Sequence, residues 1–235
     1  MSELFIANKI ESVAEIFDNL GGTFIESPKV IAHKLKQIDC FVFDWDGVFN
    51  DGRKGAESSS DFAEPDSMAT HILRYAYWLT HNKLPIVAII TGQNNESAQL
   101  FAEREHLNYV FSGFKNKEEP IKVLMKENKL QKEQISSMFD DIIDYPLAVN
   151  TGVRFLVNRE ENPLFTNYFI DKKLCEYITY STGSQCKVRE VVELIIGLSG
   201  NYNHVLESRF KDPEKYMEFW NLRQSTKTKL VKNTN

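Results

Sequence analysis

The middle of the chain alternates between short apolar runs and longer stretches with helical periodicity, and this alternation constrains the fold more than any other feature. The apolar runs are IDCFVF (38–43), PIVAII (85–90), YVF (109–111), ISSMF (135–139) and VRFLVN (153–158). Helical patterns lie between or after them, at residues 68–82, 96–106, 117–129 and 188–198. Short runs that are apolar on both faces are typical of parallel strands covered by helices. The sequence therefore predicts an α/β fold, a Rossmann-like parallel sheet sandwiched by helices.

The 235 residues divide by this pattern into a core and two flanking segments. Residues 38–198 contain all the alternating runs and predict one core domain. Residues 1–37 predict an N-terminal helical appendage, because apolar residues recur at helical spacing from Ile6 to Leu20 before a Gly-Gly pair. Residues 199–235 are rich in basic residues and predict a C-terminal helical extension that ends in a frayed tail.

Charge and cysteine content exclude several classes of protein. A net charge of −5 provides no overall basic field for a nucleic acid. The three cysteines, at positions 40, 175 and 186, are too scattered to predict a disulfide framework. No apolar stretch reaches the roughly 18 residues that span a membrane, and the N-terminus lacks the features of a secretion signal. We therefore expect no nucleic-acid or membrane partner, and a cytoplasmic location.

Residues that can do chemistry follow the predicted strands directly. They are Asp44 and Asp46 after the first run, Thr91-Gly92 after the second, Lys115 and Lys117 after the third, and Asp140, Asp141 and Asp144 after the fourth. Ligands of parallel α/β sheets bind beyond the carboxyl ends of the strands. Each element alone is typical of a turn, a helix cap or a solvated side chain. In this order, and each at a strand end, they together favour a functional site.

Several carboxylates in one crevice need a compensating charge. At ~4 Å and an effective dielectric of about 20, each pair of like charges costs roughly 4 kcal/mol. A hard divalent cation with oxygen ligands, for which magnesium is the first candidate, would offset this cost together with one lysine. Protonation of some of the carboxylates is the other solution, and the sequence leaves both open.

The segments FVFDWDG, AIITG, GFKNK and MFDDIID resemble, in the same order, the motifs of phosphatases of the haloacid dehalogenase superfamily. Within that superfamily, DWDGVFNDG and TGSQCKVREVVELI are similar to the subfamily that contains 3-deoxy-octulosonate 8-phosphate phosphatase. The resemblance covers about residues 38–198. It implies a magnesium-dependent phosphoric monoester hydrolase that acts on a phosphorylated sugar or sugar acid through an aspartyl-phosphate.

The resemblance also implies catalytic and substrate-binding roles. Asp44 would attack phosphorus, and Asp46 would act as general acid and then as general base. Lys117 would neutralise charge on Asp44 and on the phosphate. Thr91 and the amide of Gly92 would bind phosphoryl oxygens. The dehalogenases themselves lack the second aspartate, so its presence favours phosphoryl transfer.

A magnesium site is implied as well. Asp44, the main-chain carbonyl of Asp46, and Asp140 would hold the ion. Asp141 would act as an outer-shell or water-mediated ligand, and Asp144 is a weaker candidate. The five histidines fall singly along the chain, so we expect no histidine ligand.

Four positions depart from the subfamily pattern. Trp45 stands inside the DxD motif and Phe139 stands before the acidic pair. Gln93 and Pro65 replace cations that would suit a substrate carboxylate. None of the four removes a catalytic group. Trp45 and Phe139, together with the unmatched extensions at both ends, nevertheless support an alternative function, in which a catalytically impaired member acts as a binding or assembly module. Transfer of the phosphoryl group to an alcohol instead of water is a third hypothesis.

The 38 residues between positions 52 and 91 leave little room for a large cap domain. Capless members of this superfamily close their sites by packing subunits together. The resemblance therefore implies a homo-oligomer, with a tetramer favoured, whose other partner is a small phosphorylated metabolite.

Overall fold

A computed structural model describes residues 9–53, 61–183 and 185–233. The strands in these residues are β1 Thr23–Phe24, β2 Cys40–Phe43, β3 Ile86–Thr91, β4 Tyr109–Ser112, β5 Ile135–Phe139, β6 Val153–Leu156, β7 Tyr177–Ile178 and β8 Lys229–Lys232. They form one sheet in the order β1-β7-β6-β5-β2-β3-β4-β8. All neighbouring pairs are parallel except β1 and β7. The predicted α/β class with a mostly parallel sheet is confirmed.

The helices of the described residues cover both faces of this sheet. They are α1 Ile10–Asn19, α2 Pro28–Leu35, α3 Glu64–His81, α4 Glu96–Arg104, α5 Glu118–Asn128, α6 Tyr145–Val149, α7 Pro163–Asp171, α8 Lys187–Leu198, α9 Tyr202–Lys211 and α10 Pro213–Ser225. Short 3₁₀ turns occupy Lys132–Gln134 and Ile142–Asp144. Local chemistry sets several starts: Ser27, Asn95 and Asp212 each accept a hydrogen bond from a main-chain N–H three residues on.

Alternate residues of the central strand enter two different cores. Phe41 and Phe43 pack with α1, α3, α4, α8 and α10, whereas Cys40 and Val42 pack on the other face with α5, α6 and α7. This alternation explains why β2 is apolar along its whole length, since both of its faces are covered. No helix in the described ranges is long and apolar enough to cross a membrane.

The N-terminal segment is packed into the first of these cores. Val13 and Phe17 of α1 are buried. A Cβ added at Gly197 of α8 would lie 2.9 Å from Val13, so the absence of a side chain there permits the close approach of the two helices. Residues 23–24 extend the sheet through β1. The division into appendage, core and extension remains a prediction about domains, and its first eight residues lie outside the described ranges.

The frayed tail predicted at the C-terminus is wrong for residues 229–232. These residues form β8, which pairs in parallel with β4 from Tyr109↔Lys229 to Ser112↔Lys232. The backbone groups of β4 would otherwise form an open sheet edge, and β8 covers it. Residues 234 and 235 of the predicted tail lie outside the described ranges.

The order of the strands creates a switch point beside β2. The chain runs from β2 to β3 and β4 on one side, then returns to the other side of β2 to form β5 and β6. The Asp44 N–H, just beyond β2, donates to the Met138 carbonyl of β5 at 3.0 Å. The segments after β2 and β5 therefore meet at the position where open α/β sheets bind ligands.

Candidate active site

Lys117 is the buried cation at the centre of the site. It immediately precedes α5 and has no exposed surface. Its ammonium group contacts both the Asp44 and the Asp144 carboxylates. Burial alone would lower the pKa of Lys117, but these two carboxylates outweigh it and raise the pKa above the ordinary value. Lys117 is therefore a permanent positive charge at neutral pH.

Asp44 follows β2 and is 4% exposed. Burial raises the pKa of its carboxyl well above the ordinary value, and repulsion from Asp144 adds to the effect, while Lys117 opposes it. A further cation bound beside this carboxyl would oppose the shift in its pKa.

Asp140 follows β5 and lies on the other side of the same group of acids. Its Oδ2 accepts hydrogen bonds from Arg159 Nε at 2.8 Å and from Arg159 Nη2 at 2.6 Å. Burial, followed by repulsion from Asp144, raises the pKa of Asp140 to about 6, although Arg159 opposes the shift. Oxygen atoms of Asp44, Asp140 and Asp144 lie within 4.8 Å of one another.

Asp144, the weaker candidate of the sequence, is completely buried within this group. Besides its contact with Lys117, its Oδ2 accepts from the Asp140 and Asp141 N–H groups at 3.3 and 3.2 Å. Asp141 is exposed, and its Oδ1 accepts from the Ile142 N–H at 2.6 Å. Asp144 thus supports the lysine and the acidic loop, while Asp141 caps the 3₁₀ turn.

A cavity of about 590 Å³ opens over these carboxylates. Asp44, Asp46, Gly92, Asp140 and Asp141 contribute to its wall, and the remaining lining residues are Asp51, Gly52, Gln93, Lys115, Ile143, Arg159, Glu161 and Asn162. The cavity joins residues that follow β2, β3, β5 and β6. Its size is that of a small-molecule site.

Of two further predicted site residues, Asp46 lines this cavity, whereas Thr91 is not one of its lining residues. Asp46 is half-buried on its wall, and its Oδ1 accepts from Asn95 Nδ2 at 3.4 Å. Thr91 is buried at the end of β3, and its hydroxyl accepts from the Gln93 N–H at 3.4 Å. The structure therefore brings Asp44, Lys117 and Asp140 into direct proximity, with the other predicted residues close by.

The acidic group fits a hard divalent cation. Its donors are carboxylate oxygens, which magnesium prefers. Burial and mutual repulsion raise the pKa of Asp44 and of Asp140, and a bound cation would oppose both shifts. Asp44 and Asp140 line the cavity, whereas Asp144 is completely buried behind it, so Asp44 and Asp140 are the better ligands.

Trp45 and Phe139 do not narrow the site. Trp45 is fully buried and stacks on Phe49 with ring centroids 4.8 Å apart, in the core that also contains Phe101. Phe139 packs on Phe169 at 5.7 Å in the opposite core. Both bulky side chains therefore point into the protein interior, away from the cavity.

Arg159 is the site residue that the sequence analysis missed. It comes directly after the apolar run VRFLVN, just as the predicted site residues follow the other runs. Applying the strand-end rule to this last run would have identified it. A Cβ at Gly47 would overlap both Arg159 and Asp140, so the glycine provides the space in which they meet.

The fold and the site together define a class of architecture: a mostly parallel sheet with a buried aspartate, a buried lysine and a group of acids at its switch point, where open α/β sheets bind ligands. No protein-family model matches the chain. The chain is 27% identical over 178 residues to the 3-deoxy-D-manno-octulosonate 8-phosphate phosphatase KdsC of Salmonella typhimurium, an alignment that covers 74% of this chain and 87% of that protein. The protein of the same name from Escherichia coli K12 gives the same identity and coverage.

Solved structures give the same result for the fold. The 3-deoxy-D-manno-octulosonate 8-phosphate phosphatase from Moraxella catarrhalis, crystallised with magnesium, phosphate and KDO, matches with a TM-score of 0.63 and 24% identity, covering 77% of this chain and 98% of that chain. The cobalt-bound enzyme from Haemophilus influenzae matches with a TM-score of 0.59 and 22% identity, covering 78% and 99%. The resemblance to haloacid dehalogenase superfamily phosphatases is therefore confirmed.

Proposed function

We propose that this chain is a magnesium-dependent phosphatase that hydrolyses a small phosphate monoester through an aspartyl-phosphate on Asp44. The observation that carries the proposal is the Asp44 carboxylate itself, which contacts Lys117, lies within 4.8 Å of Asp140 oxygen, and borders an open cavity of about 590 Å³. The relatives that match over most of the chain are phosphoric monoester hydrolases by name.

Asp44 is the nucleophile. A bond forms between its carboxylate oxygen and phosphorus, and the bond from phosphorus to the ester oxygen breaks. Asp46 donates a proton to the departing alkoxide. A water molecule then attacks phosphorus, gives its proton to Asp46, and regenerates the Asp44 carboxylate. The position of Asp46 on the cavity wall, two residues from Asp44, supports this pairing of roles.

Lys117, Thr91 and Gly92 bind and neutralise the phosphoryl group. Lys117 lies against Asp44 and so balances charge on the nucleophile as the phosphoryl group arrives. Gly92 is on the cavity wall, where its amide is available to a phosphoryl oxygen. Asp144 keeps the lysine in position through their ion pair.

Asp44, the Asp46 carbonyl and Asp140 hold the magnesium ion. When bound, the ion offsets the negative charge of the phosphate and of its carboxylate ligands, and it orients the phosphoryl group. The oxygen donors of Asp44 and Asp140 support this assignment. So does the presence of magnesium in the related Moraxella structure and of cobalt in the Haemophilus one.

The substrate is a phosphorylated sugar or sugar acid. The names of the relatives favour an eight-carbon sugar acid phosphate. Gln93 is exposed on the cavity wall and carries no charge for a substrate carboxylate, but Lys115 and Arg159 line the same cavity. These two cations support an anionic substrate despite the cations missing at positions 65 and 93.

The alternative of an impaired binding module rested on Trp45, Phe139 and the unmatched extensions at both ends. Both aromatic side chains are buried in cores away from the cavity, which favours the phosphatase over this alternative. A homo-oligomer, with a tetramer favoured, stays a prediction that light scattering on the purified protein would test.

The test is phosphate release from a panel of sugar phosphates and sugar acid phosphates, with magnesium or with EDTA. We expect magnesium-dependent release, greatest with a sugar acid phosphate, and its loss in Asp44→Asn. Asp171→Asn, an exposed aspartate at the end of α7, is the matched control and should retain full activity. Absence of release from every substrate, or release unchanged in Asp44→Asn, would contradict the proposal.

A further inference from the structure

Arg159 is bound to the very carboxylate that the proposed function needs as a metal ligand. Two of its nitrogens, Nε and Nη2, contact a single oxygen of Asp140, at 2.8 and 2.6 Å. Charge-assisted contacts of this kind are among the stronger hydrogen bonds in proteins. The guanidinium also fills the space beside Gly47 and lies next to Gly52, so it sits against the loop that carries Asp44 and Asp46.

A second acceptor for Arg159 lies on the cavity side. Its Nη1 donates to Glu161 Oε1 at 3.1 Å, and the Glu161 side chain is 67% exposed. Both residues line the cavity. Loss of the contact with Asp140 would therefore leave the guanidinium with one partner and with access to solvent.

Counting formal charges shows what Arg159 does for the acids. Asp44, Asp140 and Asp144 carry three negative charges, and Lys117 and Arg159 carry two positive ones. Glu161, the other partner of Arg159, adds a fourth negative charge. A divalent ion bound by Asp140 would lie against the same carboxylate as the guanidinium, and two like charges at one carboxylate weaken the binding of each other.

Arg154 provides a comparison within the same part of the sheet. Its guanidinium binds Glu176 at 2.7 and 3.0 Å, and its side chain is 15% exposed, the same fraction as that of Arg159. Glu176 is also paired with Lys34 and does not border the cavity. Arg154 therefore has a purely structural partner, whereas Arg159 binds an acid that faces the cavity.

We propose that Arg159 is an internal competitor of the metal ion: its guanidinium occupies Oδ2 of Asp140, so a divalent cation either displaces it or binds the other oxygen beside a like charge, and both lower the affinity for the ion. Arg159 thereby stabilises the acidic group before loading and sets the concentration of magnesium at which the site fills. The inference rests on the proposed function, because it requires Asp140 to be a metal ligand.

The test is calorimetric titration of the full, EDTA-stripped chain with magnesium chloride at constant pH. Arg159→Gln removes the competing charge, so we expect its Kd for magnesium to be roughly 10-fold lower than that of the natural chain. Without magnesium, Arg159→Gln should also have a lower melting temperature than the natural chain. Added magnesium should raise the melting temperature of the variant by more than that of the natural chain. Arg154→Gln, the matched control, should lose stability without any change in Kd. Arg159→Lys keeps the charge but not the two-nitrogen contact. Its Kd for magnesium should lie between that of the natural chain and that of Arg159→Gln.

The direction in which Arg159→Gln changes the Kd for magnesium decides whether Arg159 competes with the ion. Magnesium affinity in Arg159→Gln that is equal to or weaker than that of the natural chain overturns the inference, and weaker binding would identify Arg159 as a residue that positions Asp140. If Arg159→Gln fails to fold, the Arg159→Lys titration decides in the same way. If neither the natural chain nor the variants bind magnesium, the proposed function fails as well, so the two failures are distinguishable.

Discussion

Two clusters of buried charge lie in this molecule, and they are built in opposite ways. The acidic cluster consists of Asp44, Lys117, Asp140, Asp144 and Arg159, and it borders the cavity. Its three carboxylates outnumber its two cations. The basic cluster consists of Arg74, Glu105 and Arg223, and none of the three lines the cavity. Arg223 binds the Glu105 carboxylate, and Arg74 binds the main-chain carbonyl of the same residue.

The basic cluster joins three helices. Arg223 of α10 contacts Glu105 at 2.6 Å, and Arg74 of α3 donates to the Glu105 main-chain carbonyl at 2.6 Å. Ser67 adds a hydrogen bond to the same carboxylate at 2.9 Å. Burial, followed by repulsion from Arg223, lowers the pKa of Arg74 to about 9. This cluster fastens the C-terminal helices to the face of the core.

The comparison of the acidic and the basic cluster shows that buried charge by itself does not indicate a functional site. Both clusters contain ion pairs between side chains that are less than a tenth exposed. Only the acidic cluster combines an excess of one charge with access to a cavity that could admit the missing ion and a substrate. An excess of one charge beside an open cavity indicates a functional site. An excess of one charge away from any cavity indicates a structural role.

The largest expected effect is on activity in the acidic cluster. Asp44→Asn removes the nucleophile, so kcat should fall by at least about 10³-fold. Stability should not fall with it, because the pKa of Asp44 is raised and a neutral side chain avoids the cost of a buried charge. Phosphate release and urea unfolding of the same preparation measure both quantities. A variant that loses activity only because it unfolds would contradict this separation.

The next largest effect is on stability in the basic cluster. Glu105→Gln leaves the buried Arg223 without its carboxylate partner, so the free energy of unfolding should fall by about 3–5 kcal/mol. The activity of the folded fraction should change by less than about 2-fold, since no member of the cluster reaches the cavity. Glu103→Gln, exposed on the same helix, is the control and should change neither quantity. Reduced activity per folded molecule would show that the two clusters are coupled.

Sequence reasoning found the acidic cluster because its members obey a local rule. Asp44, Lys117 and Asp140 each follow an apolar run, and the carboxyl ends of parallel strands converge. The runs at 38–43, 85–90, 109–111 and 135–139 correspond closely to β2, β3, β4 and β5. Strands β1 and β7 have two residues each, too few to show a period of two.

The basic cluster was beyond the reach of the sequence. Arg74 and Glu105 are 31 residues apart, and Glu105 and Arg223 are 118 apart. Each is one charge on or beside an amphipathic helix, where charges are normally solvated. Their burial arises only when the C-terminal helices pack on α3, and no periodicity reports that contact. The strand β8 was missed for a related reason, since KLVK has only two apolar residues between two lysines, shows no alternation, and is mostly exposed at the sheet edge.

The two clusters should respond to pH with opposite signs when no metal is bound. The folded pKa of Asp140, about 6, lies above its ordinary value of 3.8, so its contribution to stability is complete below pH 3.8 and is lost as pH rises through 6. Burial alone would raise the pKa of Glu105, but Arg104, Ser67 and Arg223 lower it below 4.5. Its contribution is present above pH 4.5 and is lost as pH falls below that value.

Urea unfolding in EDTA at pH 3.8, 4.5 and 7.5 tests these signs. The difference in the free energy of unfolding between Asp140→Asn and the natural chain should shift in favour of the variant from pH 4.5 to pH 7.5. The reason is that Asp140 of the natural chain must ionise over this range, whereas asparagine stays neutral. Glu105→Gln should show its deficit at pH 7.5, and the deficit should shrink as the pH is lowered below 4.5. The same pH dependence in both variants would refute the contrast between the clusters.

The smallest expected effect is the change in kcat/KM caused by substitutions at the edge of the acidic cluster. Asp144 is completely buried against Lys117, so Asp144→Asn should lower kcat/KM by roughly 10- to 100-fold, as expected for a residue that orients a group at an active site. Asp141 is exposed and caps a short turn, so Asp141→Asn should lower kcat/KM by less than about 5-fold. Steady-state kinetics at saturating magnesium compares the two. A loss in Asp141→Asn as large as that in Asp144→Asn would mean that Asp141 acts as the outer-shell ligand that the resemblance implies, and that the cluster extends to the surface.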